Sequence, residues 1–277
     1  SDNEEVFFSK IGVLDGTPEL RGSIPFNRLY GAVLKIARPE SLNEVDGKNY
    51  LAFSARLIHF SASGLAGVWA EENTREAIYD AFRRKETFAT SGPRIKVRFF
   101  AGYELSNAQL NSQNLLSELY KNATVMGSTL LAEDKKSPSF LVWAIADAQG
   151  APLQRTQVIK GWLENGEHQE KVYDVACSDG LEVNSETNRC PENGARVNLN
   201  DCSYSGDVGA NELKTLWKDP DFKQDQEAFY YARVLENPVC RWSTWDAIKN
   251  GETPRSDIDS TIQERAWSSP IWYSRAN

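Results

Sequence analysis

Residues 64–98 constrain the fold of this chain more than any other stretch, because two kinds of secondary-structure pattern meet there. Leu65, Val68 and Trp69 form a short apolar run, which is typical of a strand buried on both faces. The next residues predict a capped helix, since Asn73 can accept from first-turn amides and Glu76 follows three residues later, as in a capping box. A β-strand is therefore followed directly by an amphipathic helix.

After this helix the pattern changes to alternating β-structure. Ile95, Val97 and Phe99 alternate with charged side chains, which predicts a half-buried strand after a strand at 87–90 and a turn at 91–93. Further strands follow, the first three of them in meander order with an Asn-Gly hairpin signal between the second and the third. These strands are predicted at residues 139–146, 157–162, 169–176, 229–235 and 271–273, and short helices at 111–120 and 211–217.

The charge balance excludes two classes of partner. The chain carries 39 acidic and 31 basic residues, a formal net charge of −8. Nucleic acids and anionic membranes attract clustered Lys and Arg, and the one short basic run, residues 83–85, lies at the end of the predicted helix. No apolar stretch approaches the roughly 20 residues that a membrane-spanning helix needs. Because the chain starts at Ser1 without Met, we expect a processed or truncated product.

The four cysteines all lie in the C-terminal part of the chain, at wide spacings that do not suit a zinc site. Two disulfides are the preferred interpretation, which indicates an oxidising compartment, either a bacterial periplasm or the outside of the cell. Three pairings are possible. We favour Cys177 with Cys190 and Cys202 with Cys240, and four unpaired thiols are the alternative.

Four separated blocks carry a resemblance that covers nearly the whole chain. They read SGLAGVWAEENTREAIYDAFRRKETFATSGPRIKVRFFAG, FLVWAIADAQGAPLQRTQVIKGW, EAFYYARVLENPVCRW and QERAWSSPIWY. Together they resemble the C-terminal part of a large, mostly uncharacterised bacterial family of PHP-type (polymerase and histidinol phosphatase) metallo-hydrolases, which is related to carbaryl-hydrolase-like enzymes. The resemblance implies a distorted β/α barrel that carries zinc, manganese or iron, followed by a β-sandwich-like domain.

The metal ligands of that superfamily have no counterpart in this chain. They come from a His-x-His pair, further His and Glu residues and a late Asp-x-His, whereas this chain has only His59 and His168, outside any such motif. A structural role is therefore expected for His59. We expect an α+β fold in which residues 1–92 are the C-terminal remnant of the barrel and residues 93–277 a β-rich accessory domain with a disulfide-stapled loop region. The N-terminal half of the same protein is then an expected partner.

The candidate site residues follow from the barrel that the resemblance implies. Chemistry in such barrels lies at the C-terminal ends of strands, where Glu71, Glu72 and Asn73 follow one strand and Ser91 and Arg94 follow the next. Arg94 could hold the anionic group of a phosphoester. Structural roles compete with each of these: a helix cap for Asn73, favourable charges near a helix N-terminus for the two glutamates, and an exposed strand position for Arg94.

Two functions are carried forward from the sequence. The first is the C-terminal portion of a metal-dependent, phosphoesterase-like hydrolase that acts on a small-molecule ester through metal-activated water. On this interpretation the isolated chain binds no metal tightly and is inactive. The alternative is a binding module for carbohydrate or another ligand, in which tryptophans near the C-terminus form a stacking platform. These are Trp242, Trp245, Trp267 and Trp272.

Overall fold

The structure is a computed structural model that describes residues 17–26, 28–52, 58 and 64–275. Its helices are α1 (Pro18–Arg21), α2 (Arg28–Ala37), α3 (Arg75–Arg83), α4 (Leu115–Asn122) and α5 (Trp242–Lys249), with short 3₁₀ helices at Pro39–Ser41 and Asn107–Asn111. Its strands are β1 (Leu42–Val45), β2 (Lys48–Leu51), β3 (Leu65–Val68), β4 (Thr87–Thr90), β5 (Lys96–Gly102), β6 (Thr124–Val125), β7 (Thr129–Leu131), β8 (Ser139–Ile145), β9 (Leu153–Glu164), β10 (Glu167–Cys177), β11 (Glu212–Lys218), β12 (Ala228–Glu236), β13 (Val239–Cys240), β14 (Thr261–Ile262), β15 (Arg265–Ser268) and β16 (Ile271–Ser274).

The chain divides into two compact units, each built from segments that are separated in sequence. The first comprises Ser1–Leu65, Arg196–Ser205 and Pro238–Glu264, and the second Ala66–Ala195, Gly206–Asn237 and Arg265–Asn277. The predicted boundary between residues 92 and 93 lies inside the second unit. The division into a barrel part and an accessory domain therefore stays a prediction.

The first unit contains two small two-stranded sheets and α5. β1 pairs with β2 and β13 with β14, both antiparallel. Arg255 anchors this unit, because its side chain is almost fully buried, donates to the carbonyl of Gly22 at 3.0 Å and lies over the ring of Tyr50. Arg21 makes a second tie through its 2.7 Å ion pair with Asp246 of α5. Polar contacts therefore join the distant sequence segments of this unit.

The second unit is built from two sheets around one core. An eight-stranded sheet has the order β10-β9-β12-β15-β4-β3, with β16 on β12 and β7 on β16, and a four-stranded sheet has the order β11-β8-β5-β6. Both sheets contribute side chains to one hydrophobic cluster. Phe140 of β8 meets Tyr230 of β12 there, with ring centroids 4.3 Å apart. The predicted β-rich architecture is confirmed for this unit.

A helix covers the second face of the smaller sheet. Phe100 and Leu141 are buried on that face and pack against Leu115 and Leu119 of α4. Because Val97 and Phe99 of the same strand point into the main core, β5 is buried on both faces from Phe99 onward. The second unit thus has a helix, the smaller sheet and the larger sheet stacked in that order.

The barrel remnant is not seen within the described residues, whose strands form no closed barrel. The β3-α3-β4 segment instead extends the edge of the larger sheet, where β4 pairs antiparallel with β15. The predicted meander is also wrong, because β8 belongs to the smaller sheet while β9 and β10 form a hairpin in the larger one. Both differences come from pairings between strands that are distant in sequence.

Two local predictions of helical structure need correction. A helix was predicted at residues 211–217, but strand β11 (Glu212–Lys218) occupies this stretch, pairs along its whole length with β8 and buries Leu213. The N-cap of α3 is Thr74 and not Asn73. Thr74 has extended backbone angles and its hydroxyl accepts from the amide of Ala77 at 3.3 Å, so the helix starts one residue later than predicted.

The favoured disulfide pairing is confirmed. Cys177 is joined to Cys190 in the second unit and Cys202 to Cys240 in the first. Fully buried Asp174 secures the first of these loops, because its carboxylate accepts from the amide of Cys190 at 2.7 Å and from the side chain of Gln157 at 2.6 Å. Disulfides of this kind are typical of proteins from an oxidising compartment. Within the described residues, no helix is long and apolar enough to cross a membrane.

The two disulfides are expected to differ in their contribution to stability. Cys202 and Cys240 are separated by 38 residues and Cys177 and Cys190 by 13. Loop-closure entropy then predicts a loss of about 4 kcal/mol in the free energy of unfolding for the pair Cys202→Ser/Cys240→Ser, and about 3 kcal/mol for Cys177→Ser/Cys190→Ser. Urea denaturation of both double variants checks this ranking, and a larger loss from the shorter loop would contradict it.

Candidate functional site

One cleft in the second unit receives the first of the predicted site residues. It has a volume of about 680 Å³ and opens at the end of β3, where Trp69, Ala70 and Glu71 line its wall. Arg84 and Glu86, which follow α3, line another part of it. Arg98 of β5 and Tyr120 of α4 also line it. The cleft therefore gathers side chains from strands and helices that are far apart in sequence.

The other predicted site residues lie outside this cleft. Glu72 and Asn73 are exposed in the bend before α3. Ser91 accepts the amide of Arg265 at 2.8 Å and so ties the end of β4 to β15. Arg94 has an exposed side chain, and its amide donates to Asp147 at 2.7 Å, which is the main cause of a lowered pKa for that carboxyl. Of the five candidates, only Glu71 is placed in the cleft.

Arg98 is the most strongly positioned cation of the cleft. Its guanidinium lies over the indole of Trp69, with Cζ 3.4 Å from the ring centroid. The indole is itself held, because its Nε1 donates to the carbonyl of Val97 at 2.8 Å. Nη1 of Arg98 donates to the hydroxyl of Tyr120 at 2.6 Å, and no carboxylate of the described residues forms an ion pair with this arginine. The guanidinium is thus oriented by stacking while its charge is not neutralised by a partner.

Glu86 is the last acceptor in a series of hydrogen bonds in which Arg98 donates to Tyr120 and Tyr120 donates to Glu86. Its side chain is only 5% exposed, it accepts a short hydrogen bond from the hydroxyl of Tyr120, and Arg84 lies 3.5 Å away. Burial disfavours the tyrosinate form, and the neighbouring carboxylate adds to this effect, so that the pKa of Tyr120 is raised to about 12. Burial and the hydrogen bond to Glu86 therefore favour the protonated form of Tyr120, and the nearby Arg98 partly offsets them.

The residues of the cleft do not fit a divalent metal centre. Of its two carboxylates, Glu86 is already engaged by Tyr120 and Arg84, and two arginines line the same space. Throughout the described part of the chain, no three His, Cys, Asp or Glu side chains come together as candidate ligands. His168 lies in an exposed position of β10, and His59 lies outside the described residues. We therefore assign no metal and no metal-dependent step to these residues.

Sequence reasoning missed most of the cleft. The sequence pattern indicated a cation at a helix end for Arg84, which is exposed as expected, and a solvent-facing strand position for Arg98, which is instead half-buried against Trp69. The available signal was an arginine directly before the apolar residues 99–101 of β5, together with a tryptophan that follows the short strand β3. Nothing in the local pattern indicated that Tyr120 would join them.

The four tryptophans of the proposed stacking platform divide between the two units. Trp242 and Trp245 belong to α5 in the first unit, whereas Trp267 of β15 and Trp272 of β16 belong to the second. Trp272 is 48% exposed and lines a shallow groove on the larger sheet, together with Phe229. Only one of the four therefore lies in a described groove.

Fold and site define a β-rich protein with two disulfides and a cleft that presents a stacked arginine. The chain belongs to the family described as "Protein of unknown function (DUF3604)", whose model matches residues 1–275. No curated protein and no solved structure shows significant similarity to it.

The raised pKa of Tyr120 gives a test of the hydrogen bonds that join Arg98, Tyr120 and Glu86. Because the pKa in the folded protein is about 12 and the ordinary value is 10.0, the stabilisation from this hydroxyl is present below pH 10.0 and is lost as the pH rises toward 12. The difference in free energy of unfolding between wild type and Tyr120→Phe is therefore expected to shrink across this range. Chemical denaturation at a series of alkaline pH values measures it. Tyr79→Phe, which removes an exposed hydroxyl on α3, is the control, and an identical pH dependence for both variants would contradict the assignment.

Proposed function

We propose that this chain is the substrate-binding portion of a metal-dependent, phosphoesterase-like hydrolase, and that the cleft around Arg98 holds the anionic group of a small ester substrate. The observation that carries the proposal is the guanidinium of Arg98, which is stacked on Trp69 without an acidic partner among the described residues. A planar guanidinium presents paired N–H donors that match two oxygens of a phosphate or a carboxylate. Stacking limits the side-chain entropy that is lost on binding.

The remaining walls of the cleft suit the organic part of such a substrate. Leu116, Ala123 and Val125 supply apolar surface, while Trp69 and Tyr120 supply aromatic rings. A volume of about 680 Å³ lies within the range of small-molecule sites. A small aromatic or aliphatic ester of phosphate is therefore the substrate class that we propose.

The position of the cleft is consistent with the family resemblance drawn from the sequence. The cleft opens where Trp69 to Glu71 leave β3, and it therefore includes Glu71, one of the candidate residues that the resemblance implied. Glu71 stands at this rim, where its exposed carboxylate can accept a hydrogen bond from a substrate hydroxyl. Zinc, manganese or iron, with the water that it activates, would be held by residues outside this chain, in the N-terminal half of the same protein.

We further propose a bacterial periplasmic or extracellular location. The two disulfides support it, because reducing conditions in the cytosol keep most thiols unpaired.

Carbohydrate binding is the second candidate function. The observation that favours it is the exposed Trp272, which lies beside Phe229 at a ring-centroid distance of 5.3 Å on an open sheet face. Exposed aromatic rings of this kind suit the apolar face of a sugar ring.

Replacement of Arg98 tests the first proposal. Arg98→Gln keeps a hydrogen-bonding side chain but removes the charge, so that affinity for phenyl phosphate is expected to fall about tenfold or more, as is typical of a lost charge-assisted hydrogen bond. Isothermal titration calorimetry on the complete 277-residue chain measures the affinity. Circular dichroism establishes that the variant is folded.

Arg83→Gln is the matched control. Arg83 lies in the last turn of α3, over the ring of Tyr79 at 6.0 Å, and does not line the cleft. Its replacement is expected to leave phenyl phosphate binding unchanged. Equal losses in both variants, or no binding by the wild-type chain, would overturn the proposed role of the cleft.

A second test follows from the proposal that this chain binds the substrate while the N-terminal half of the protein binds the metal. We expect the isolated chain to bind no stoichiometric zinc or manganese and to show no turnover of phenyl phosphate, because the metal ligands are proposed to lie elsewhere. Metal analysis after dialysis and a phosphate-release assay measure both quantities. Stoichiometric metal together with turnover would show that the chain is catalytically complete.

A further inference from the structure

We infer that the outer face of the larger sheet, at Phe229 and Trp272, is a binding site for neutral carbohydrate. The inference rests on the second candidate function, carbohydrate binding, and does not depend on the hydrolase proposal. The site is called the aromatic groove and consists of the outward-facing residues around Gly161, Phe229 and Trp272, with a cavity volume of about 550 Å³.

Strand register places these residues side by side. Glu170 of β10 lies opposite Gly161 of β9, Gly161 opposite Phe229 of β12, and Phe229 opposite Trp272 of β16. Residues that are paired across neighbouring strands lie on the same face of a sheet. The alternate residues on β12 and β16, such as Tyr230, are buried in the core. The row of four therefore faces away from the core.

Gly161 determines how the phenyl ring of Phe229 is presented. A Cβ atom at position 161 would lie 2.2 Å from Cζ of Phe229, so that the ring rests directly on the backbone of β9. The far end of the ring, Cζ with both Cε atoms, therefore lies over the backbone at Gly161. The indole of Trp272 stands beside it at an interplanar angle of 53°. Two angled aromatic surfaces in an open groove result.

The aromatic surface suits one face of a pyranose ring. The C–H groups on that face are apolar and are stabilised by contact with aromatic carbon, while the hydroxyl groups point sideways along the ring edge. Exposed Leu163 lies two residues beyond Gly161 on the same face of β9 and extends the apolar surface. A volume of about 550 Å³ is in the size range of small-ligand sites.

The rim of the groove supplies partners for sugar hydroxyls and excludes anions. Glu227 and Ser274 lie on one side, where the serine hydroxyl donates to the carboxylate at 3.2 Å. Glu170 and His168 lie on the other side. Carboxylates accept hydrogen bonds from hydroxyls and repel phosphate and uronate groups. A neutral glycan fits this combination, whereas a nucleic acid or an acidic polysaccharide does not.

Replacement of Trp272 tests the groove. The complete chain is titrated by calorimetry with four neutral oligosaccharides, namely cellohexaose, xylohexaose, mannohexaose and chitohexaose, and with the hexamer of polygalacturonate. We expect binding of at least one neutral oligosaccharide and none of the acidic one. Trp272→Ala is expected to weaken that binding about tenfold or more. Glu170→Gln, a milder change of an exposed rim residue, is expected to weaken it several-fold.

Trp245→Ala is the matched control, since Trp245 is 39% exposed but belongs to α5 in the first unit. Its replacement should leave the affinity unchanged. Neutral glycan binding that survives both groove variants would overturn the assignment of the groove while leaving the second function intact. Absence of any neutral glycan binding would overturn both. Neither result bears on phenyl phosphate binding in the cleft.

A concentration-dependent dimer that is lost in Trp272→Ala would identify the groove as a self-association surface and would also overturn the proposal.

Discussion

The packing of Tyr230 between the two sheets is the interaction on which the second unit depends. Its ring contacts Phe140 of the smaller sheet, and its hydroxyl donates at 2.8 Å to Asp219, which also pairs with buried Lys160 at 2.7 Å. Asp219 further accepts from the amide of Asp221, so that this buried carboxylate has three partners. Removing one member of a buried pair costs about 3–5 kcal/mol, because a charge is left without compensation. The core is therefore held by apolar contact together with the buried, hydrogen-bonded cluster around Asp219.

Both candidate sites use the outward faces of strands whose inward faces form this core. On β5, Val97 and Phe99 point into the core while Arg98 points into the cleft. On β12, Tyr230 points inward while Phe229 points into the aromatic groove. Side chains alternate along a strand, so rigid packing on one face positions the residues on the other. The sites can thus be well ordered without contributing to the core.

Local sequence signals predicted those parts of the fold in which a few neighbouring residues decide the outcome. The Asn165-Gly166 hairpin was predicted because both residues accept positive φ, and they have φ values of 53° and 84°. The helix at Arg75–Arg83 followed from its cap and apolar face, with an error of one residue at the cap. β11 was predicted wrongly, because its pairing with β8 outweighed its helix-compatible composition.

The sequence by itself determined the β-rich class, the acidic character and the position of most strands, whereas it left three disulfide pairings open and only favoured the one that the structure contains. Only the tertiary structure decided which strands share a sheet and which side chains share a site. Tyr120 meets Arg98 because α4 packs on the outer face of β5, and Phe229 meets Trp272 because β16 pairs with β12. These contacts depend on pairings between segments that are distant in the chain, and no local periodicity encodes them.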